Sequence, residues 1–398
     1  VWSSMLMFIL GTLMVVQPCV AQLDGAQMKS EAASQTRQAY WISLALGGPF
    51  ALVCWFSEPL LTAFSIDPVI VPEAAGYLRA LAWGAPALSL VFLLRFFSEG
   101  TGNTTPTMLY GIAGALLNIP LNYVLMFGKL GFPALGTVGC GYATSIVIWL
   151  QFLLLVLYIH MHRHYRPFAL MSYVEAPDWQ KIWSLLKVGV PIAIAIFVEG
   201  SLFVGAALLI GRLGPVAAAA HLIAINFSAL MFMIPVGLSS AISIRVGNAI
   251  GRQEPEAARY AGMIGVAIVL GFQTMSAAAM FLFPGLIVSI YTSDAVVAPL
   301  AVSLLFYAAI FQYPDGLQMV AAGALRGYKD TRMPMVYMII SFWIVGMTLG
   351  YNLTFNRGMG PAGMWVGMIA GLTVAAGLML RRFNHTSRKL VQDSGRGG

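Results

Sequence analysis

The sequence predicts an all-α polytopic membrane protein, and three observations carry that expectation. Of its 398 residues, 59% are hydrophobic and only 9% are charged, and the mean hydropathy is +0.81, well beyond the composition of soluble globular chains. The apolar residues fall in continuous runs long enough to cross a hydrocarbon core of roughly 30 Å. A transmembrane barrel would instead show alternating segments of about ten residues. The 22 Lys and Arg residues are sorted between alternate loops, with only Arg79, Lys129, Arg212 and Arg357 on one side. The positive-inside rule makes the other side, including the C-terminus, cytoplasmic. The net charge of +7 therefore reports topology, and no nucleic-acid partner is expected.

Eleven apolar runs are expected to span the bilayer: about 1–20, 39–57, 77–97, 107–127, 136–159, 182–210, 216–244, 257–283, 297–324, 333–353 and 362–380. The first lacks a basic leader region and reads as a spanning helix, not a cleaved signal. Gly25, Gly251 and Gly327 supply helix stops, and Pro106 and Pro334 sit where new helices begin. The fourth run carries Asn118 and Asn122 one turn apart beside Pro120, and the seventh carries His221. Cys19, Cys54 and Cys140 all lie inside apolar runs, so packing is expected of them and a disulfide framework is not.

An internal repeat organises these runs. Residues 5–27 align without gaps on 231–253, matching Met5, Gly11, Val20, Gly25 and Gln27 to Met231, Gly237, Val246, Gly251 and Gln253. A near-constant offset pairs Pro106 with Pro334, and Gly131 and Gly136 with Gly358 and Gly363. The expected organisation is an N-terminal helical bundle at 1–160, a cytoplasmic linker at 161–181, a C-terminal six-helix bundle at 182–380 and a basic cytoplasmic tail at 381–398. Six helices per repeat, with an offset of 226, place the start of the first repeat about 45 residues before Val1. The first helix and the start of the second are thus expected upstream.

Two acids lie well inside apolar runs, Glu199 and Asp315. An ionisable side chain at bilayer depth costs roughly 2.5–3.5 kcal/mol on insertion scales, so it faces a protein interior or a water-filled cavity and marks a functional site by default. Pro191, Gly189 and Gly200 predict bending or close packing near Glu199, and Pro314 frees a backbone carbonyl near Phe311 beside Asp315. Carboxylates with a free carbonyl suit a proton or a hard cation such as Na⁺; no other metal and no cofactor is expected. Asn118, Asn122, Phe311, Tyr313 and His221 are candidates for contact with substrate or cavity, interhelical hydrogen bonding being the competing role for the two asparagines and His221. His160, His162 and His164 fall in a basic stretch beside the membrane and read as headgroup contacts more readily than as metal ligands. No phosphate-binding loop and no hydrolytic constellation occurs, which argues against ATP as energy source and against an enzyme.

The segments NFSALMFMIPVGLSSAISIRVGNAIGR following Ala220-His221, GALRGYKDTRMPM from Gly323 and LLNIPLNYVLMFG from Leu116 resemble the multidrug and toxic compound extrusion family, in its NorM-like branch. The resemblance covers the whole chain. It implies twelve helices in two six-helix bundles related by pseudo-two-fold symmetry around a V-shaped cavity, of which about eleven are present here. It also implies export of small-molecule organic cations and drugs in exchange for Na⁺ or H⁺, by a monomer in the lipid bilayer of a bacterial inner membrane. Glu199 matches the acid of the family's seventh helix and Asp315 that of its tenth. An aromatic four residues before the latter is tyrosine in some members and Phe311 here. The family's first helix, with an acid used for proton coupling in some members, falls before Val1. Alternatives are a lipid-linked saccharide flippase, which needs a strongly cationic cavity, and a non-functional transporter fragment.

Overall fold

The computed structural model describes residues 2–63 and 67–396, and helix accounts for nearly all of them. Nine helices are long and apolar enough to cross a membrane, and two bent pairs complete eleven candidate spans among the described residues. The nine spans run Trp2–Gly25 (with a turn at residues 14–15), Thr105–Phe127, Gly136–Met161, Trp179–Gly211, Pro215–Gly251, Pro255–Leu282, Val297–Gly327, Arg332–Asn356 and Pro361–Ser394. Helices dominate because lipid offers the backbone no hydrogen-bond partners, so each segment must satisfy its own N–H and C=O groups. The bent pairs are Lys29–Trp55 with Ser57–Ala63, at 65°, and Val71–Ala82 with Ala85–Gly100, at 47°. The second bend ends at Pro86, which lacks a donor and starts the new helix. Within Arg332–Asn356 the helix widens into π-turns over Ile340–Met347 and Asn352–Asn356, which the uniform apolar run did not foretell.

The chain forms two compact units, Val1–Ala193 and Ile194–Gly398. In the first, Ala85–Gly100 packs on Lys29–Trp55, and Gly136–Met161 packs on both Thr105–Phe127 and Val71–Ala82. In the second, Val297–Gly327 is the hub, packed by Pro215–Gly251, Pro255–Leu282 and the C-terminal helix Pro361–Arg396. Small residues let these helices approach: Ala301, Ala308, Ala309, Ala321 and Ala324 are all buried, and Gly323 lies directly on the Ser239 backbone. Asp315 stands near the middle of that hub.

The repeat is visible in local geometry. Gln27 and Gln253 both take positive φ, 60° and 61°, and the following residues close the same wide turn, Met28 N to Leu23 O at 2.8 Å and Glu254 N to Ala249 O at 2.9 Å. Gly100 and Gly327 are also counterparts. A Cβ on Gly100 would lie 2.8 Å from both Gln17 O and Val20 Cβ; one on Gly327 would lie 2.9 Å from Ser243 O and 2.7 Å from Val246 Cβ. Gln17 and Val20 are the repeat equivalents of Ser243 and Val246, so each unit uses the same helix crossing.

In the first unit the segment after Gly136–Met161 is fastened to Lys29–Trp55. Glu175 takes an ion pair from Arg37 at 3.0 Å and hydrogen bonds from Ser34 at 2.9 Å and Gln38 at 3.3 Å, while Trp41 Nε1 donates to its backbone carbonyl at 3.0 Å. Gln38 Oε1 accepts from the Asp178 N–H at 2.8 Å, and Arg37 also donates to Ala169 O and Tyr173 Oη. Burial alone would raise the Glu175 carboxyl, but the bonds from Arg37, Ser34 and Gln38 outweigh it and hold the group below its ordinary range. At the other end of the chain, helix continues through the basic segment as far as Arg396; residues 397–398 of the expected tail lie outside the described residues.

Candidate functional site

Glu199 and Asp315 are both buried in the second unit, at 8% and 3% exposure. Trp179–Gly211 carries Glu199 and the Val297–Gly327 hub carries Asp315. Gln318, one turn after Asp315 on the same face of the hub, donates its Nε2 to Glu199 Oε1 at 2.6 Å. This bond joins residues 119 apart in sequence and brings the two acids into one electrostatic neighbourhood. Asp315 Oδ1 and Gln318 Oε1 are buried acceptors without a hydrogen-bond partner. Buried oxygens left open in this way cost free energy unless a proton, a cation or water completes them.

The polar set extends along the hub. Gln312, one turn before Asp315, is buried with Oε1 unpartnered, and its Nε2 meets Met280 Sδ at 3.7 Å. Gln273 and Ser276 of Pro255–Leu282 are buried with open oxygens, and Gln273 lies against Gly316. Further along, Arg326 Nη2 donates to Ser239 Oγ at 2.6 Å, and Ser239 Oγ donates in turn to Met319 O at 2.7 Å. Charge sorting had counted Arg326 with the cytoplasmic loop cations; it lies in the last turn of the hub helix, 8% exposed. The sort cannot see that a long side chain in a last turn points back along the helix into the unit.

The other expected residues take different places. Phe311 is fully buried, with ring centroids 6.0 Å from Phe203 and 5.5 Å from Trp365, each edge-on. His221 completes that aromatic row, 5.7 Å from Trp365, and both His221 Nδ1 and Trp365 Nε1 are buried without a partner. Tyr313, two residues before Asp315, faces the other side of the helix and donates its Oη to Thr274 Oγ1 at 3.2 Å. Asn118 and Asn122 belong to the first unit and bond each other, Asn122 Nδ2 to Asn118 Oδ1 at 2.7 Å, leaving Asn122 Oδ1 open. His164 Nε2 lies 3.1 Å from Thr101 Oγ1, and no group of three or more His, Cys, Asp or Glu suited to a metal occurs among the described residues. Cys19 and Cys54 are buried and Cys140 is half-buried.

Gln318, Gln312, Gln273, Ser239 and Arg326 were not singled out from sequence. The available signal was the spacing Gln312, Asp315, Gln318, which puts three polar side chains on one stripe of an apolar helix. The chemistry such a cluster supports is reversible binding of a small positive charge among carboxylate and amide oxygens in a dry interior.

Comparisons with known proteins point one way. The MatE family profile matches residues 1–124 and 191–352. The probable multidrug resistance protein NorM of Xanthomonas campestris pv. campestris is 48% identical over 390 residues, which span 98% of this chain and 85% of that protein. The multidrug resistance protein PmpM of Pseudomonas aeruginosa is 40% identical over 398 residues, spanning 98% and 83% of the two chains. Among solved structures, a MATE protein in its bent conformation superposes with a TM-score of 0.89 at 20% identity, over 99% of this chain and 87% of that one. The eukaryotic MATE transporter AtDTX14 superposes with a TM-score of 0.84 at 20% identity, over 98% and 88%.

Proposed function

The chain belongs to the MatE family, and from that premise we propose that it is a multidrug exporter that exchanges cationic or amphipathic drugs for Na⁺ or H⁺ by alternating access. It works as a monomer in a bacterial inner membrane with its C-terminus in the cytoplasm, and its cations bind at Glu199 and Asp315. Relatives at 40–48% identity that carry multidrug-resistance names support the export reading. The single observation that carries the mechanism is the buried Glu199–Gln318–Asp315 cluster with its open acceptor oxygens.

The reasoning is one of linkage. A buried carboxylate pair whose charge is not fully balanced is costly, so a state of the protein that encloses both acids is favoured when a cation or proton is bound. A drug that binds better to the opposite-facing state drives the reverse change. Exchange requires these opposite preferences, because a ligand with equal affinity for both states moves neither.

The test is ethidium or norfloxacin efflux from cells expressing the protein, with a Na⁺ pulse and a pH jump applied separately. Glu199→Gln and Asp315→Asn are expected to abolish gradient-driven efflux while membrane abundance is kept. A response to Na⁺ alone assigns a sodium site and a response to pH alone a proton site. Normal efflux from both variants would remove the assignment.

A further inference from the structure

We propose that Arg326 is a built-in counter-cation of the Glu199–Asp315 site, reducing its formal charge so that a single monovalent positive charge completes it. This rests on the cation-site reading above and adds the residue that sets how much charge the site takes.

The hydrogen bonds trace the connection. From the guanidinium the chain passes through Ser239 Oγ, at 2.6 Å, to Met319 O, at 2.7 Å. Met319 is the neighbour of Gln318, whose amide holds Glu199 at 2.6 Å. The hub helix thus carries, on consecutive residues, the backbone oxygen that anchors the arginine and the side chain that anchors the acid. Ser239 is held on the hub by the direct contact of Gly323 with its backbone, so the serine cannot drift.

Charge accounting then selects Arg326. It is buried, stays protonated in proteins, has no carboxylate within 4 Å among the described residues, and leaves its Nε unpartnered. A buried guanidinium so placed needs a negative counterpart nearby. The unit's other acids are engaged elsewhere or lie near its surface: Asp330 pairs with Arg382 at 2.7 Å and Glu254 with Arg252 at 3.0 Å, Asp294 is exposed in the loop before the hub, and Glu256 and Asp393 stand outside the apolar part of their helices. Glu199 and Asp315 remain. With both ionised and Arg326 positive, the group carries one net negative charge.

The repeat gives an internal control. Glu99 precedes Gly100 as Arg326 precedes Gly327. In the first unit that acid is closed locally, by Arg95 one turn away at 2.8 Å and by Gln17 at 2.8 Å. The second unit inverts the charge at the same position, where Ser239 accepts a hydrogen bond but no local carboxylate pairs with it among the described residues. Symmetry therefore accounts for the location of the residue, and the acid pair accounts for its sign.

The experiment counts positive charge bound per chain by purified protein in detergent. Retained radioactive Na⁺ at pH 8 and indicator-dye proton uptake in sodium-free buffer are each corrected by the Glu199→Gln/Asp315→Asn double variant. One charge is expected for the wild type, two for Arg326→Gln with affinity for the first raised on the order of tenfold, and one again for Arg326→Lys. Two charges in the wild type would overturn the proposal without needing any variant. So would a single charge at unchanged affinity in Arg326→Gln. If the double variant binds as the wild type does, the Glu199–Asp315 reading itself fails, a result distinct from failure of the arginine's role.

Discussion

Replacing Glu175 with alanine tests how the segment between the repeats is held, and its magnitude can be worked from contacts outside the membrane. The substitution removes an ion pair with Arg37 at 3.0 Å and the acceptor for Ser34 and Gln38, but leaves the Trp41 bond to the backbone carbonyl. Arg37 is only 5% exposed, so it loses its counter-charge without gaining water. Breaking a buried pair from one side costs about 3–5 kcal/mol. Glu175 is 20% exposed and Arg37 keeps Ala169 O and Tyr173 Oη, which places the cost near the lower end, about 3 kcal/mol. For a unit of this size that is a fall in Tm of roughly 6–12 °C, read by a thermal-shift assay in detergent. The double variant Arg37→Met/Glu175→Leu should recover most of the loss, because a paired deletion strands no charge. A Tm for Glu175→Ala within about a degree of wild type, or a double variant no better than the single, would refute the reasoning. The pH dependence has a definite sign. The folded carboxyl lies below its ordinary value of 4.5, so its stabilisation is complete above 4.5 and is lost as pH falls through the folded value. Glu175→Ala should flatten that acid limb.

Further predictions follow from packing and from the site. Gly327→Ala places a methyl 2.7 Å from Val246 Cβ and should cost about 1–3 kcal/mol; its counterpart Gly100→Ala, 2.8 Å from Val20 Cβ, should cost the same, and unequal Tm losses would show that the two crossings differ. Gly367→Ala places its methyl against Gly350 Cα and Gly350 N, closer than any contact at the other two sites, so it should be the most damaging of these by protein yield and Tm. Gln318→Leu removes the amide that holds Glu199; gradient-driven efflux should fall at least tenfold, by analogy with a lost hydrogen bond to a charged group, with Gln318→Glu failing to restore it. Asn122→Ala breaks only the bond to half-exposed Asn118 and should shift Tm by less than about 1 kcal/mol equivalent, leaving drug efflux as the informative readout.

By itself the sequence determined that this chain is a stack of membrane helices, roughly where each begins and ends, and that two units repeat with an offset near 226. Those properties are local and one-dimensional: apolar length sets a span, glycine and proline set its ends, and a repeat is read by matching residues such as Gln27 with Gln253. Glu199 and Asp315 were legible for the same reason, since an acid in an apolar run needs no partner to be conspicuous. Tertiary structure alone decided what surrounds them. The Gln318 bond to Glu199 crosses 119 positions, and the path from Arg326 through Ser239 to Met319 depends on how closely two helices approach at Gly323. Arg326 shows the limit most plainly. Its charge and its position near a helix end read as a loop cation, and only the direction of its side chain, set by packing, turned it inward. Composition fixes what may enter the membrane; which buried charges face one another is a matter of helix contact, and no linear pattern encodes it.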